Sequence, residues 1–173
     1  MKALGIVLLA GIAPLGWQGA IAAAGSGSPG EVVISAAQAP AAPSEVADAV
    51  MQRDPARLQA LLKAHANVNA PQPDGSTALH WAAYQGDAHT AQVLLAAGAH
   101  PDATTDTGMT PLLLACQAGD ASLVDALLRA GADARQTLGG GETPLMMAAR
   151  TGSVPVLKLL LAHGAVVDAR EKK

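Results

Sequence analysis

Phenylalanine is absent from this chain, tyrosine occurs once and tryptophan twice. A core built on large aromatics is therefore excluded. The apolar half of the sequence is mostly Ala, Leu and Val, which suits closely packed helices. A single cysteine, Cys116, rules out an intramolecular disulfide and any cysteine-based metal site. No basic block exists, and the formal net charge is −3. Sequence-independent nucleic-acid binding thus lacks electrostatic support, and no nucleic-acid partner is expected. Charge is also missing from Ala3 to Gly30. The 173 residues suit one domain plus an extension.

The uncharged stretch has an order of its own. Lys2 precedes the apolar run "ALGIVLLAGIAPL", and the small-residue segment "GWQGAIAAAG" follows. Ala20-Ile21-Ala22 and Ala22-Ala23-Ala24 both fit the A-x-A cleavage pattern. This is the three-part layout of a secretory signal peptide. Pro14, Gln18 and several glycines argue against an uncleaved membrane anchor. No cysteine follows the run, so a lipoprotein anchor is excluded. The expectation is a signal peptide at residues 1–24, a periplasmic or secreted product, and no membrane contact after cleavage. Loss of Lys2 takes the net charge from −3 to −4. Gly, Ser, Pro and Ala then dominate residues 25–43, which read as a flexible linker. "EVVIS" within it has strand character but is read as linker. Order is expected from about Pro43-Ser44 onward.

Beyond that point the chain repeats itself every thirty-three residues. Thr77, Thr110 and Thr143 keep this spacing, as do Gly75, Gly108 and Gly141. Leu79, Leu112 and Leu145 follow, then Ala82, Ala115 and Ala148, then Gly86, Gly119 and Gly152. The pairs Leu94-Leu95, Leu127-Leu128 and Leu160-Leu161 and the glycines 98, 131 and 164 complete the set. One step earlier the signal persists weakly in Asp54, Leu61-Leu62 and Ala66. A fixed period of this length means a stacked solenoid.

One unit can be read from its residues. Thr77, Thr110 and Thr143 are N-cap residues, and Pro111 and Pro144 take the first helical position, where no N–H is needed. A short helix runs to Gly86, Gly119 or Gly152, each suited to a left-handed C-cap. Asp54, Asp87, Asp120 and Ser153 cap a second helix, and Pro55 and Pro155 lie in its first turn. That helix ends at Gly98, Gly131 or Gly164. His65 stands in place of this glycine in the first unit, at a cost if the position needs positive φ. A finger of turn residues leads to the next unit. Each helix is too short to be stable alone, so stacking must supply the burial.

The repeat resembles the ankyrin repeat. "DGSTALHWAAYQGD…VLLAAGAHPDA", "TGMTPLLLACQAGD…ALLRAGADA" and "GGETPLMMAARTGS…LLLAHGAVVDA" match its pattern. "EVADAVMQRDPARLQALLKAHANVNA" looks like a degenerate first copy. Ala78 departs from the family's proline. The resemblance implies an all-α solenoid of helix pairs with β-turn fingers, in four units at 44–73, 74–106, 107–139 and 140–173. It also implies that Thr77 and His80 bond to each other, and that a concave face binds another protein without catalysis.

Candidate sites separate into scaffold and surface. Trp81 shares a column with Leu114 and Met147, which argues for packing between units. Cys116 shares one with Ala83 and Ala149, so a buried small thiol is expected. Gly139-Gly140-Gly141 lacks the Lys-Ser/Thr of a phosphate loop. His80 has no histidine at metal-binding spacing and no nucleophile elbow accompanies it, so neither a metal nor a catalytic residue is assigned, and no cofactor is expected. Tyr84 aligns with Gln117 and Arg150, and Gln85 with Ala118 and Thr151. Columns that vary in chemistry face solvent. By the resemblance, Pro73, Asp74, Ser76, Tyr84, Gln85, Asp106, Thr107, Met109, Gln117, Glu142 and Arg150 are partner contacts. Tyr84 and Arg150 lead because Tyr and Arg are enriched as anchors.

The functional expectation is an exported protein-interaction module. Alternatives are a targeting or regulatory repeat domain of a larger protein or enzyme, and a stand-alone hydrolase. The last unit keeps Leu145, Met146, Met147 and "VLKLLLAHG" where a terminal unit should be polar. A longer array, or self-association through this unit, is expected from that.

Overall fold

The computed structural model describes residues 44–167. The expected signal peptide, the linker and the tail from 168 onward lie outside the described residues. Eight helices form within them: α1 (Glu45–Met51), α2 (Pro55–Lys63), α3 (Ala78–Gln85), α4 (Ala88–Ala96), α5 (Pro111–Ala118), α6 (Ala121–Arg129), α7 (Pro144–Thr151) and α8 (Val154–Ala162). They fall into four antiparallel pairs, one in each expected interval. The first helices stack as one layer, α1 on α3 on α5 on α7. The second helices stack as another, α4 on α6 on α8. No strand is present among the described residues.

The caps explain where each helix starts. Thr110 and Thr143 accept the N–H of Leu113 and Met146, both at 3.2 Å. Asp54 accepts from Arg57 N–H and Asp87 from Thr90 N–H, each at 2.9 Å. One oxygen of Asp120 takes two backbone N–H groups and the Ser122 hydroxyl. Ser153 is a correction. It stands at the N-cap of α8, but its side chain does not cap that helix. Its hydroxyl instead donates to Gly119 O at 3.3 Å and ties the last pair to the one before.

Helix ends are just as regular. After α3, Gly86 N–H bonds Ala83 O and Asp87 N–H bonds Ala82 O. This is the Schellman pair, which needs positive φ at the first of the two donors. Gly86, Gly119 and Gly152 supply it with φ of 68°, 70° and 69°. The same bond pair closes every helix except α7, where the Thr151 hydroxyl takes Ala148 O instead. In the first unit, two L-residues do the glycine's work. Arg53 after α1 and His65 after α2 both sit at φ 56°.

The core lies between the layers and between successive pairs. Leu79, Leu94, Leu112, Leu113, Leu123, Leu127 and Leu160 are its fully buried large side chains. Ala78, Ala82, Ala83, Ala115 and Ala148 bring the first helices close together. Cys116 is buried among them, and burial pushes its thiol up to about 12. That makes it packing rather than a nucleophile.

Candidate interaction face

The three fingers are tight turns of one design. In the first, Gly75 N–H bonds Gln72 O and Gln72 N–H bonds Ser76 O. Thr105–Met109 and Leu138–Glu142 repeat both bonds. Adjacent fingers touch where Asp106 N–H donates to Asp74 O at 3.0 Å. A Cβ on Gly75 would lie 3.0 Å from Asp106 N and from Thr105 Cα, so only glycine permits this approach.

His80 locks the helix layer to the fingers. Its Nδ1 accepts the Thr77 N–H at 3.1 Å and lies 2.9 Å from Thr77 Oγ1. Because the backbone N–H can only donate, Nδ1 is unprotonated and Nε2 carries the hydrogen. Nε2–H then donates to Met109 O, 3.1 Å away in the next finger. Burial holds the imidazole pKa below its ordinary value, which favours this neutral form. The Thr77–His80 bond implied by the family resemblance is thus joined by a second bond, to the next unit.

Two side-chain links show which side of the first helices meets the fingers. Trp81 Nε1–H on α3 donates to Gln72 Oε1 at 2.6 Å. Arg150 on α7 pairs with Glu142 of the third finger. The column Tyr84, Gln117, Arg150 therefore borders the fingers, and all three residues are exposed, Tyr84 by 70%. Pro73, Asp74, Asp106 and Thr107 stand exposed on the finger turns beside it.

Other candidates are already engaged within the fold. Ser76 is buried at 8% exposure; its N–H and hydroxyl both donate to Asp74, at 2.9 Å each. Those two bonds hold the Asp74 carboxyl below its usual range. Ser76 shapes the finger and offers no contact surface. Gln85 is half-buried, and its amide donates to Val50 O and Met51 O, capping α1. It binds the first unit to the second. Met109 is half-buried with its carbonyl on His80, and Glu142 is half-buried beside Arg150. Trp81 packs against the core as expected, while it stays partly exposed and its indole N–H faces the finger.

A further set of residues joins successive units. Asn69, Asp102 and Arg135 keep the thirty-three-residue spacing. Each reaches the following unit: Asn69 to Gly98 O and His100 N–H, Asp102 to Asp133 N–H, Arg135 to Gly164 O. Their spacing was the available signal; their changing chemistry hid it.

Among the described residues, no helix is long and apolar enough to cross a membrane. No group of three His, Cys, Asp or Glu side chains there is placed to hold a metal. A family model described as "Ankyrin repeats (3 copies)" matches residues 46–137 and 90–171. No curated protein matches the chain.

Proposed function

The chain belongs to the ankyrin-repeat family, and on that premise we propose that it is an exported module that binds a partner protein through the finger-side face of its first helices. Ankyrin repeats generally serve as protein–protein interaction modules and are typically non-catalytic. The observation that carries the choice of face is Tyr84. It is the chain's one tyrosine, it is 70% exposed, and no hydrogen bond employs its hydroxyl among the described residues. An aromatic left in water beside rigid fingers is a ready anchor. Arg150 adds a guanidinium whose pairing to Glu142 is a surface contact, worth about 0–1 kcal/mol and easily exchanged for a partner's carboxylate.

Affinity capture from a periplasmic extract tests the face. A Tyr84→Ala, Arg150→Ala double variant should keep its helical content and lose the captured partner. Equal recovery by the variant would refute this face. Export rests on the leader-like N-terminus and its A-x-A sites. The mature chain is expected to start near residue 25; intact Met1 in the exported fraction would contradict that.

A second reading draws on the far side of α7 and α8. Leu128 and Ala134 are 4% and 3% exposed beneath the last pair, whereas their counterparts Leu161 and Val167 are 48% and 70% exposed. This face suits a further stacked unit, as in the repeat part of a larger protein or a second copy of the chain. Appending a polar capping unit should raise the melting temperature; an unchanged transition counts against the reading.

A further inference from the structure

The N-terminal half of the finger-side face carries a second, half-buried ring beside the exposed Tyr84. Trp81 and Tyr84, one turn apart on α3, stand with ring centroids 6.0 Å apart and planes at 88°. The two rings meet edge to face and form a right-angled corner. Gln72 fixes one wall of it. Its Oε1 accepts the Trp81 indole N–H at 2.6 Å, and its Nε2 donates to Asp48 Oδ1 on α1 at 2.8 Å. Only one orientation of the Gln72 amide satisfies both bonds. Asp48 occupies the Trp81 column one unit earlier, so its carboxylate flanks the rings, and Oδ2 accepts no bond among the described residues. Met51 holds the Tyr84 column on the same helix and is 39% exposed.

Two perpendicular aromatic faces beside an oriented carboxylate are complementary to a cation. The ring quadrupoles attract positive charge over their faces, and the carboxylate supplies the counter-charge. The surrounding charge agrees. The first helices and finger turns carry Glu45, Asp48, Asp74, Asp106 and Glu142, against Arg150 as their one permanent cation among the described residues. Arg150, on α7, already faces Glu142.

We propose that the Trp81–Tyr84–Asp48 corner receives a lysine or arginine side chain of the partner protein. This deepens the reading of the finger-side face and rests on it. The aliphatic stem lies along Met51 and the Tyr84 ring, while the charged head meets the Trp81 face and Asp48 Oδ2. Asp48 and Gln72 set the position of the corner before any partner arrives, which spares the ordering cost of assembling it on contact.

The test is NMR titration of the full chain with N-acetyl-lysine methylamide and, in parallel, its uncharged isostere N-acetyl-norleucine methylamide. The Trp81 indole N–H and the Tyr84 ring protons report. The lysine probe should give saturable shifts in the millimolar range, with the norleucine probe at least fivefold weaker. Asp48→Asn keeps the Gln72 bond and should weaken the lysine probe at least threefold. Trp81→Leu, which copies the Leu114 of the next unit, should abolish saturation at Tyr84 without loss of helical signal. Equal response to both probes, or no saturation by lysine, overturns the proposal. The outcomes separate it from its premise. A partner captured through Tyr84 and Arg150 without lysine-probe binding removes the corner alone. Lysine-probe binding with capture unaffected by the double variant removes the face instead.

Discussion

Replacing Arg53 and His65 with glycine should stabilise the protein. Both residues occupy the left-handed region at φ 56°, and each is the first of the two donors of a Schellman pair. The other units use glycine there, with φ from 68° to 97°. An L-residue in this conformation costs about 1–2 kcal/mol. Glycine returns roughly 0.5–1 kcal/mol of that through its greater freedom in the unfolded chain. The net gain is about 0.5–1 kcal/mol per site. Both side chains are exposed and make no hydrogen bond among the described residues, so little is lost with them. The sites flank the nine residues of α2, about 14 Å apart, and their effects should add. The double variant should gain about 1–2 kcal/mol in denaturant unfolding and melt roughly 3–8 °C higher. The converse experiment isolates the cause. A Cβ on Gly86 or Gly98 meets nothing within 4 Å, so alanine there should cost about 0.5–1 kcal/mol through backbone conformation alone. A neutral or destabilised Arg53→Gly, His65→Gly protein, with those alanine variants also neutral, would refute the reasoning.

Further outcomes follow from the same contacts. Gly75→Ala should cost more than about 2 kcal/mol, since strain at φ 80° adds to a 3.0 Å approach against backbone of the next finger; parity with Gly86→Ala in urea melts would contradict it. Asp120→Ala should cost about 1–2 kcal/mol, because three donors lose one oxygen, while Ser153→Ala should cost less than about 0.5 kcal/mol. His80 sets a pH dependence. Its folded-state pKa lies below the unfolded value of about 6.5, so the unfolded chain binds more protons and stability falls as pH drops through that value. His80→Leu, matching Leu113, should reduce the loss measured between pH 7.5 and 5.

Local chemistry was legible in the sequence. Thr110, Pro111 and Gly119 mark one helix because an N-cap, a first-turn proline and a left-handed stop each act within a few residues. Periodicity multiplied those signals into a stack. Contacts that cross between units were not legible. Gln85 looked like a free surface residue until α1 was seen to end beneath its amide. The Asp48–Gln72–Trp81 chain joins three elements up to thirty-three residues apart, and no single unit contains it. Ser153 shows the limit of local reasoning: it holds the capping position, yet its hydroxyl is spent on the neighbouring pair. Ser76 shows it too, since a polar finger residue turned inward onto Asp74.

The central claim is that function resides where the first helices meet the fingers. Hydrogen–deuterium exchange of the chain with and without its captured partner tests this directly. Slowed exchange should appear in the turns 72–76, 105–109 and 138–142 and in the last turns of α3, α5 and α7, with α4, α6 and α8 unchanged. Protection confined to the second helices, or to α8 alone, would contradict the account.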